Sequence, residues 1–364
     1  MLSRLQSFIS SNNKRILLRA FKQELVSDLR GLFYKNRFYF KNSNDCLAGK
    51  IKIDGLPRTS YGTHRSGWNF AVKSIEQLHN PGGILCDPFV ERTFSWNPKG
   101  PRPHLEPWVG FIHVPPRAPS HLSGKQSNEE IFNTREWKQS LPFCKGLFTL
   151  SEYHKVKLES LLNIPVNNLL HPTEFPELTW SPELFRLNKE KKIVQIGWWL
   201  RKIYSIHRLQ VKGYQKVFLR KQENNMDEIM KKEFDHTPGN EFLTPEIMAQ
   251  TITMKFLSNN KYDRLLTENI VFLDLYDASA NNTIVECIAR NTPILVNPLA
   301  PVVEYLGSGY PFYFSSLEEA AAKAENTELV IQAHQYLVNH PVKHKLTGDY
   351  FRNSLVSSSI YQSL

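Results

Sequence analysis

The chain has 364 residues, 41% hydrophobic and 22% charged, which is ordinary globular composition with room for two domains and a core in each. Lys and Arg outnumber Asp and Glu by 45 to 35, and the resulting +10 points to an anionic partner: a nucleotide diphosphate or an anionic membrane surface ahead of nucleic acid. No apolar run approaches the roughly 18 residues of a spanning helix, and no repeat or low-complexity tract is present, which argues against membrane-spanning and solenoid classes.

Cys46, Cys86, Cys144 and Cys287 are too scattered for a close pair of metal-ligand spacing, so they read as reduced thiols of a cytoplasmic protein with no metal site. No secretory pattern opens the chain. Residues 1–45 form a basic extension in which Ile16, Leu17, Phe21, Leu25, Leu29 and Leu32 recur at helical spacing among Arg4, Lys14, Arg15, Arg19, Lys22, Arg30, Lys35, Arg37 and Lys41. A basic amphipathic helix either packs on the body with a solvated charged face, the favoured reading, or makes peripheral contact with anionic membrane through residues 1–41.

A first domain is expected over residues 46–175. Ile51-Lys52-Ile53 reads as a short strand, followed by the glycine-bearing loop Ser60–Gly67 and an amphipathic segment through Leu78. His64 and Arg65 sit in that loop ahead of a helix N-terminus, where a sugar hydroxyl or phosphate could be met. Ile84–Asp87 is the next strand, with Asp87 and Glu91 just past its end. His113 ends the apolar run Trp108–Ile112 before Pro115, so it should emerge at the carboxyl edge of a sheet. There it either contacts a transferred sugar or, with an ordinary pKa near neutrality, serves as general base on an acceptor hydroxyl, with Asp87, Glu91 and His64 as competitors and Arg65 and Glu91 on the acceptor side. The stretch Arg117–Asn133 has the composition of a mobile acceptor-side loop. Leu147–Leu150 is a strand running into a helix capped by Ser151, and Asn168–Leu170 is the last strand before a proline-rich connector.

The second domain is expected over 176–335, with a helical tail at 336–364 crossing back to the first. Lys192–Ile196 is a strand ending at Gly197, with Arg201 and Lys202 soon after as candidate phosphate grips. Residues 220–248 read as a long exposed connection with helical parts. Asn269–Leu275 is a buried strand, Asn281 and Asn282 cap a helix bearing Ile284 and Ile288 on one face, and Pro293–Asn297 is a parallel strand, together one βαβ unit. The loop Ser279-Ala280-Asn281-Asn282-Thr283 is small enough to admit a phosphate at the helix N-terminus, and Glu286, one turn in, is placed for ribose hydroxyls.

The segment Glu286–Val296, containing Asn291-Thr292-Pro293, followed by Val303-Glu304-Tyr305-Leu306-Gly307, resembles the donor-binding half of GT-B glycosyltransferases of the large retaining group. That group carries two glutamates separated by seven residues; the second matches Glu286, while the first falls on Ala278, beside Asp277. The resemblance implies an α/β chain with two Rossmann-like domains facing each other across a cleft. Arg201 then grips the diphosphate with Lys202 or Arg208, and the backbone at Lys255, Phe256 and Leu257 meets the nucleobase. His113 falls where similar enzymes place a histidine. The implied activity is metal-independent transfer of a hexosyl or related sugar from a nucleotide diphosphate to a hydroxyl on a glycan, lipid or protein, without a cofactor beyond the donor. The rivals are a nucleotide-cofactor oxidoreductase, for which the Gly-x-Gly-x-x-Gly turn is missing, and a basic nucleic-acid binder, for which no module is recognised.

Overall fold

A computed structural model describes residues 49–54, 67–220, 225–255 and 257–364. The basic extension 1–45, His64, Arg65 and Phe256 lie outside the described residues.

The short apolar runs pair into two separate parallel sheets. The first contains β1 (Ile51–Ile53), β2 (Ile84–Asp87), β3 (Trp108–Phe111), β4 (Cys144–Thr149) and β5 (Val166–Asn168), laid side by side in chain order. The second contains β6 (Lys192–Ile196), β7 (Gln215–Leu219), β8 (Thr251–Met254), β9 (Ile270–Leu273) and β10 (Ile294–Val296), ordered β10-β9-β6-β7-β8. Ten helices matter below. In the first half they are α1 (Trp68–Ser74), α2 (Asn128–Asn133), α3 (Arg135–Ser140) and α4 (Glu152–Glu159). In the second they are α5 (Met226–His236), α6 (Asn259–Thr267), α7 (Asn282–Arg290) and α8 (Ala300–Leu306), and last come α9 (Gly348–Ser357) and α10 (Ser359–Ser363).

Strand alternation divides the core of the first lobe. Val109, Phe111 and Phe148 lie on one face of the sheet, and Trp108, Ile112 and Leu147 on the other. Phe94 on a π-helix (Arg92–Trp96), Ile131 of α2, Trp137 of α3 and Leu158 of α4 cover the second face. The first is covered by α1 together with Phe351, Leu355, Ile360 and Tyr361 from α9 and α10. The end of the chain therefore packs on the first sheet, where Lys50 Nζ donates to Tyr361 O at 3.3 Å and Ile360 N to Asn167 Oδ1 at 3.2 Å. Each of those four buried side chains is worth roughly 1.5–3 kcal/mol of burial.

One expectation changes here. Arg117–Asn133 is not an open loop: it holds a short helix (Ser120–Ser123) and α2. The described part of 220–248 is largely exposed with helical parts, as expected, and its α5 carries one fully buried acid, Glu233.

Candidate functional site

In the second sheet the chain leaves β6 for β7 and β8, then returns to β9 on the other side of β6. The loops after β6 and β9 diverge there, and such a switch point is where open α/β sheets bind ligands. Beyond β6, Gly197 at φ +75° and Leu200 at φ +58° turn the chain back. Leu200 is in the left-handed region that bulky residues seldom adopt, so something must hold it. Tyr276 N donates to Leu200 O at 3.0 Å and Lys202 N to Asp274 O at 2.8 Å, binding this turn to the loop after β9.

The clamp brings Arg201 to the start of α7. Its Nε donates to Ile196 O (3.2 Å), Nη1 to Trp199 O (2.5 Å), and Nη2 to Asn281 Oδ1 and Thr283 Oγ1 (both 3.3 Å). One of its five N–H groups is left without a partner among the described residues. Burial lowers its pKa to about 10, with Tyr262 and Glu286 acting in the opposite sense, so it stays charged at neutral pH. Lys202 is directed elsewhere: its ammonium pairs with Asp274 at 2.9 Å, and Asp274 also accepts from Ser205 Oγ at 2.7 Å.

The start of α7 is open in one part and closed in another. Asn281 caps it, its Oδ1 accepting from Thr283 N (3.0 Å) and Ile284 N (3.4 Å), so those two amides, Thr283's included, are taken. Ser279 turns its hydroxyl inward to His154 Nδ1 at 2.9 Å, away from any ligand. The backbone N–H groups of Ser279, Ala280, Asn281 and Asn282, by contrast, have no acceptor among the described residues. Consecutive amides without a described acceptor, beside a guanidinium and a helix N-terminus, are the kind of donor set that an anion cradle needs. One turn in, Glu286 accepts a hydrogen bond on Oε2 from the Tyr262 hydroxyl of α6, while Oε1 has no partner among the described residues. Burial holds the Tyr262 pKa far above its ordinary range, so it remains a donor. Beneath them Arg290 and Asp263 form a buried pair at 3.0 Å. Lys255 is exposed just past β8, the edge strand two places from β6 and so roughly 10 Å across the sheet; Leu257 is half-buried beyond it.

The first lobe meets this cradle at Gly67, the residue before α1. It has φ +56° and ψ −129°, and a Cβ there would lie 2.9 Å from Asn282 Nδ2. Next to it, Trp68 Nε1 donates to Pro88 O at 2.7 Å. His113 shares that acceptor through Nε2 at 3.1 Å and is stacked on Phe89 at 4.1 Å, with Trp68 edge-on at 4.3 Å. The carbonyl fixes the proton on Nε2, so Nδ1 is a lone pair with no partner among the described residues. Burial lowers the His113 pKa to about 3. Such an imidazole retains a proton poorly at neutral pH and suits a hydrogen-bond acceptor for a hydroxyl better than the general base expected of it.

Of the other expected bases, His64 lies outside the described residues and two are internal. Asp87 is 2% exposed and accepts from Phe89 N (2.9 Å) and His104 Nε2 (3.0 Å). Glu91 is fully buried behind the end of β3, accepting from His113 N and Val114 N. Neither reaches the crevice. Among the described residues no three His, Cys, Asp or Glu side chains converge as metal ligands would, and no helix is long and apolar enough to cross a membrane.

Several residues that bind the lobes together were not foreseen. Asp277 accepts from Arg117 N (2.8 Å) and Tyr153 OH (3.3 Å), so the acid beside the missing first glutamate is engaged between the lobes. Glu304 accepts from Glu152 N and Tyr153 N at 2.7 Å, capping α4 from the other lobe. Tyr305 donates to Leu150 O at 2.7 Å, and His121 meets Glu233 at 2.9 Å. His154 also contacts Asn128 Oδ1 at 3.1 Å, and Asn128 Nδ2 donates to Val114 O. His154 Nε2 is thus protonated and Nδ1 accepts from Ser279. Only Glu233 left a trace in the sequence, as a charge on the apolar stripe Ile229, Met230, Phe234.

No family model matches the sequence, and no curated protein matches it. Solved structures do. An alpha,alpha-trehalose-phosphate synthase (UDP-forming) from Burkholderia vietnamiensis superposes with a TM-score of 0.50 and 10% identity, over 81% of this chain and 76% of that one. A trehalose-6-phosphate structure from E. coli bound with UDP-2-fluoro glucose gives 0.51 and 12%, over 80% and 76%. Anabaena Alr3699/HepE in complex with UDP and glucose gives 0.50 and 11%, over 69% and 70%. At such identities the likeness is one of architecture. Two five-stranded parallel sheets with helices around them, matched over most of the chain, show that this protein has the GT-B fold.

Proposed function

We propose that this protein is a glycosyltransferase that moves a sugar from a nucleotide-diphosphate donor to a hydroxyl acceptor between its two lobes. One observation carries the reading: at the switch point of the second sheet, the Arg201 guanidinium and the open amides of Ser279–Asn282 converge on one helix start, with Glu286 a turn away. The amides and Arg201 hold the diphosphate, and the unpartnered Glu286 oxygen takes ribose hydroxyls while Tyr262 orients the carboxylate. Charge that develops on the departing diphosphate is met by donors already in place, each charge-assisted bond worth about 1.5–3 kcal/mol. Lys202, with its ammonium partly neutralised by Asp274, contributes less than Arg201. His113 accepts a hydroxyl of the sugar or acceptor on Nδ1. Among the described base candidates Asp87 and Glu91 are buried and His113 is a weak base, which fits a front-face path with retained configuration that needs no enzymic base. The neighbours that hold UDP, UDP-2-fluoro glucose or glucose support a nucleotide-sugar donor for this fold.

The test is a screen of nucleotide sugars for slow donor hydrolysis, which needs no acceptor, run with and without EDTA and paired with thermal shift in nucleoside diphosphates. Hydrolysis of at least one donor, indifferent to EDTA, and a raised melting temperature are expected. A protein stabilised by dinucleotides or oligonucleotides, and by no nucleoside diphosphate, would refute the assignment.

A further inference from the structure

Glu91 stands at the start of the π-helix, wholly buried. Its Oε1 accepts the backbone N–H groups of two consecutive residues, His113 and Val114, each at 2.6 Å. Its Oε2 is buried with no partner among the described residues. The two demands conflict: paired short amide bonds favour the carboxylate, and an oxygen shut away from water and donors favours the acid. The His113 ring is confined by Phe89, Trp68 and Pro88, so its remaining freedom is that of the backbone turn that Glu91 holds.

We propose that Glu91 is a positioning residue for His113: it fixes the turn that presents the free Nδ1 to the crevice, and gain or loss of its own proton alters that hold. The inference rests on the sugar-transfer reading of the crevice. Burial raises the Glu91 acid to about 7 against the lowering effect of the two amides, and the nearby charge of Asp87 raises it further. The titratable groups around the turn are Asp87, which is bound to His104, and the three histidines His113, His154 and His171, which burial keeps neutral near pH 7. Glu91 is thus a buried carboxyl held where it changes charge close to neutrality.

The experiment uses the full chain and two variants. Glu91→Gln retains the shape and one acceptor oxygen but cannot titrate; Glu91→Ala removes the hold. Donor hydrolysis is followed from about pH 5.5 to 8.5, separating kcat from KM. The wild type should show a step in kcat near pH 7 that Glu91→Gln lacks. Glu91→Ala should lower kcat about tenfold or more with donor KM within about twofold. A step that persists in Glu91→Gln overturns the proposal, as does an unaltered kcat in Glu91→Ala at a temperature where it is folded. Should the wild type hydrolyse no nucleotide sugar, the crevice has been misread, and the coupling is still measured by the ¹⁵N shift of the His113 imidazole against pH. A transition near pH 7 in the wild type that vanishes in Glu91→Gln upholds it; identical curves overturn it.

Discussion

In the second sheet the chain moves outward from β6 to β8 and comes back to β9 on the far side; in the first, each described strand lies beside its predecessor. A reversal parts two loops, and in the second lobe the backbone N–H groups of Ser279–Asn282, without an acceptor among the described residues, lie there beside one guanidinium. The first lobe, without a reversal among its described strands, offers side chains instead: Trp68, Phe89 and His113 along a wall. Its sheet also depends on the chain's end for cover, whereas the second sheet packs within one continuous core. Donor affinity should therefore belong to the second lobe, and pH sensitivity and fragility to the first.

Removing residues 348–364 is the severest way to break this contrast. Four buried side chains are lost at roughly 1.5–3 kcal/mol each, comparable with the whole stability of about 5–15 kcal/mol typical of a domain. Hydrogen exchange on the truncated chain is expected to show unprotected amides in β1–β5 and protected ones in β6–β10. Equal protection in both sheets would mean the lobes do not differ in this way.

Acid comes next. Burial lowers His113 and His154 to about 3 and His171 to about 4, all in or beside the first lobe's wall. The unfolded chain binds these protons from about pH 6.5 downward, so the stability they contribute is present above that value and is lost as pH falls toward the folded pKa values. At pH 5 the three together cost several kcal/mol, at about 1.4 kcal/mol for each pKa unit. Glu91 acts with the opposite sign: its acid is raised, so its contribution is present below about pH 4.5 and is lost as pH rises through about 7. A melting temperature that drops steeply between pH 7 and 5 is expected, with first-lobe amides exchanging before those of the second. A flat profile would place water around those histidines.

The smallest effect sharpens the other side of the contrast. Arg201→Ala should weaken nucleoside diphosphate binding about 10- to 100-fold by calorimetry, the value of one or two charge-assisted bonds, and Glu286→Ala about tenfold. Unchanged affinity in both would move the donor away from the switch point.

The sequence made the second lobe easier to read than the first, and physical reasons are visible in single residues. β9, α7 and β10 are β-branched or amphipathic runs bounded by polar residues, and Arg201, Asn281 and Glu286 follow from turn and cap chemistry. β7 escaped notice because it opens Gln215-Lys216, and a lysine there reads as exposed. In fact Lys216 is buried, its ammonium bound to the carbonyls of His207 and Leu209. Tyr262 could not be paired with Glu286 without knowing that α6 lies against α7. The contacts of Asp277, Glu304 and Glu233 depend on how the lobes are set together, which no local pattern encodes. Asp87 and Glu91 were placed correctly at the end of β2, but burial, a three-dimensional property, removed them from reach.

At Gly67, finally, the first lobe comes against the Asn282 side chain with little room beyond a hydrogen atom. Any larger substituent would strain a backbone shape that L-residues avoid and would press on the Asn282 amide. Alanine at that point would have to displace the Asn282 side-chain amide as well as hold that backbone shape. The fit at that point is thus set from the lobe that does not carry Arg201 and the start of α7.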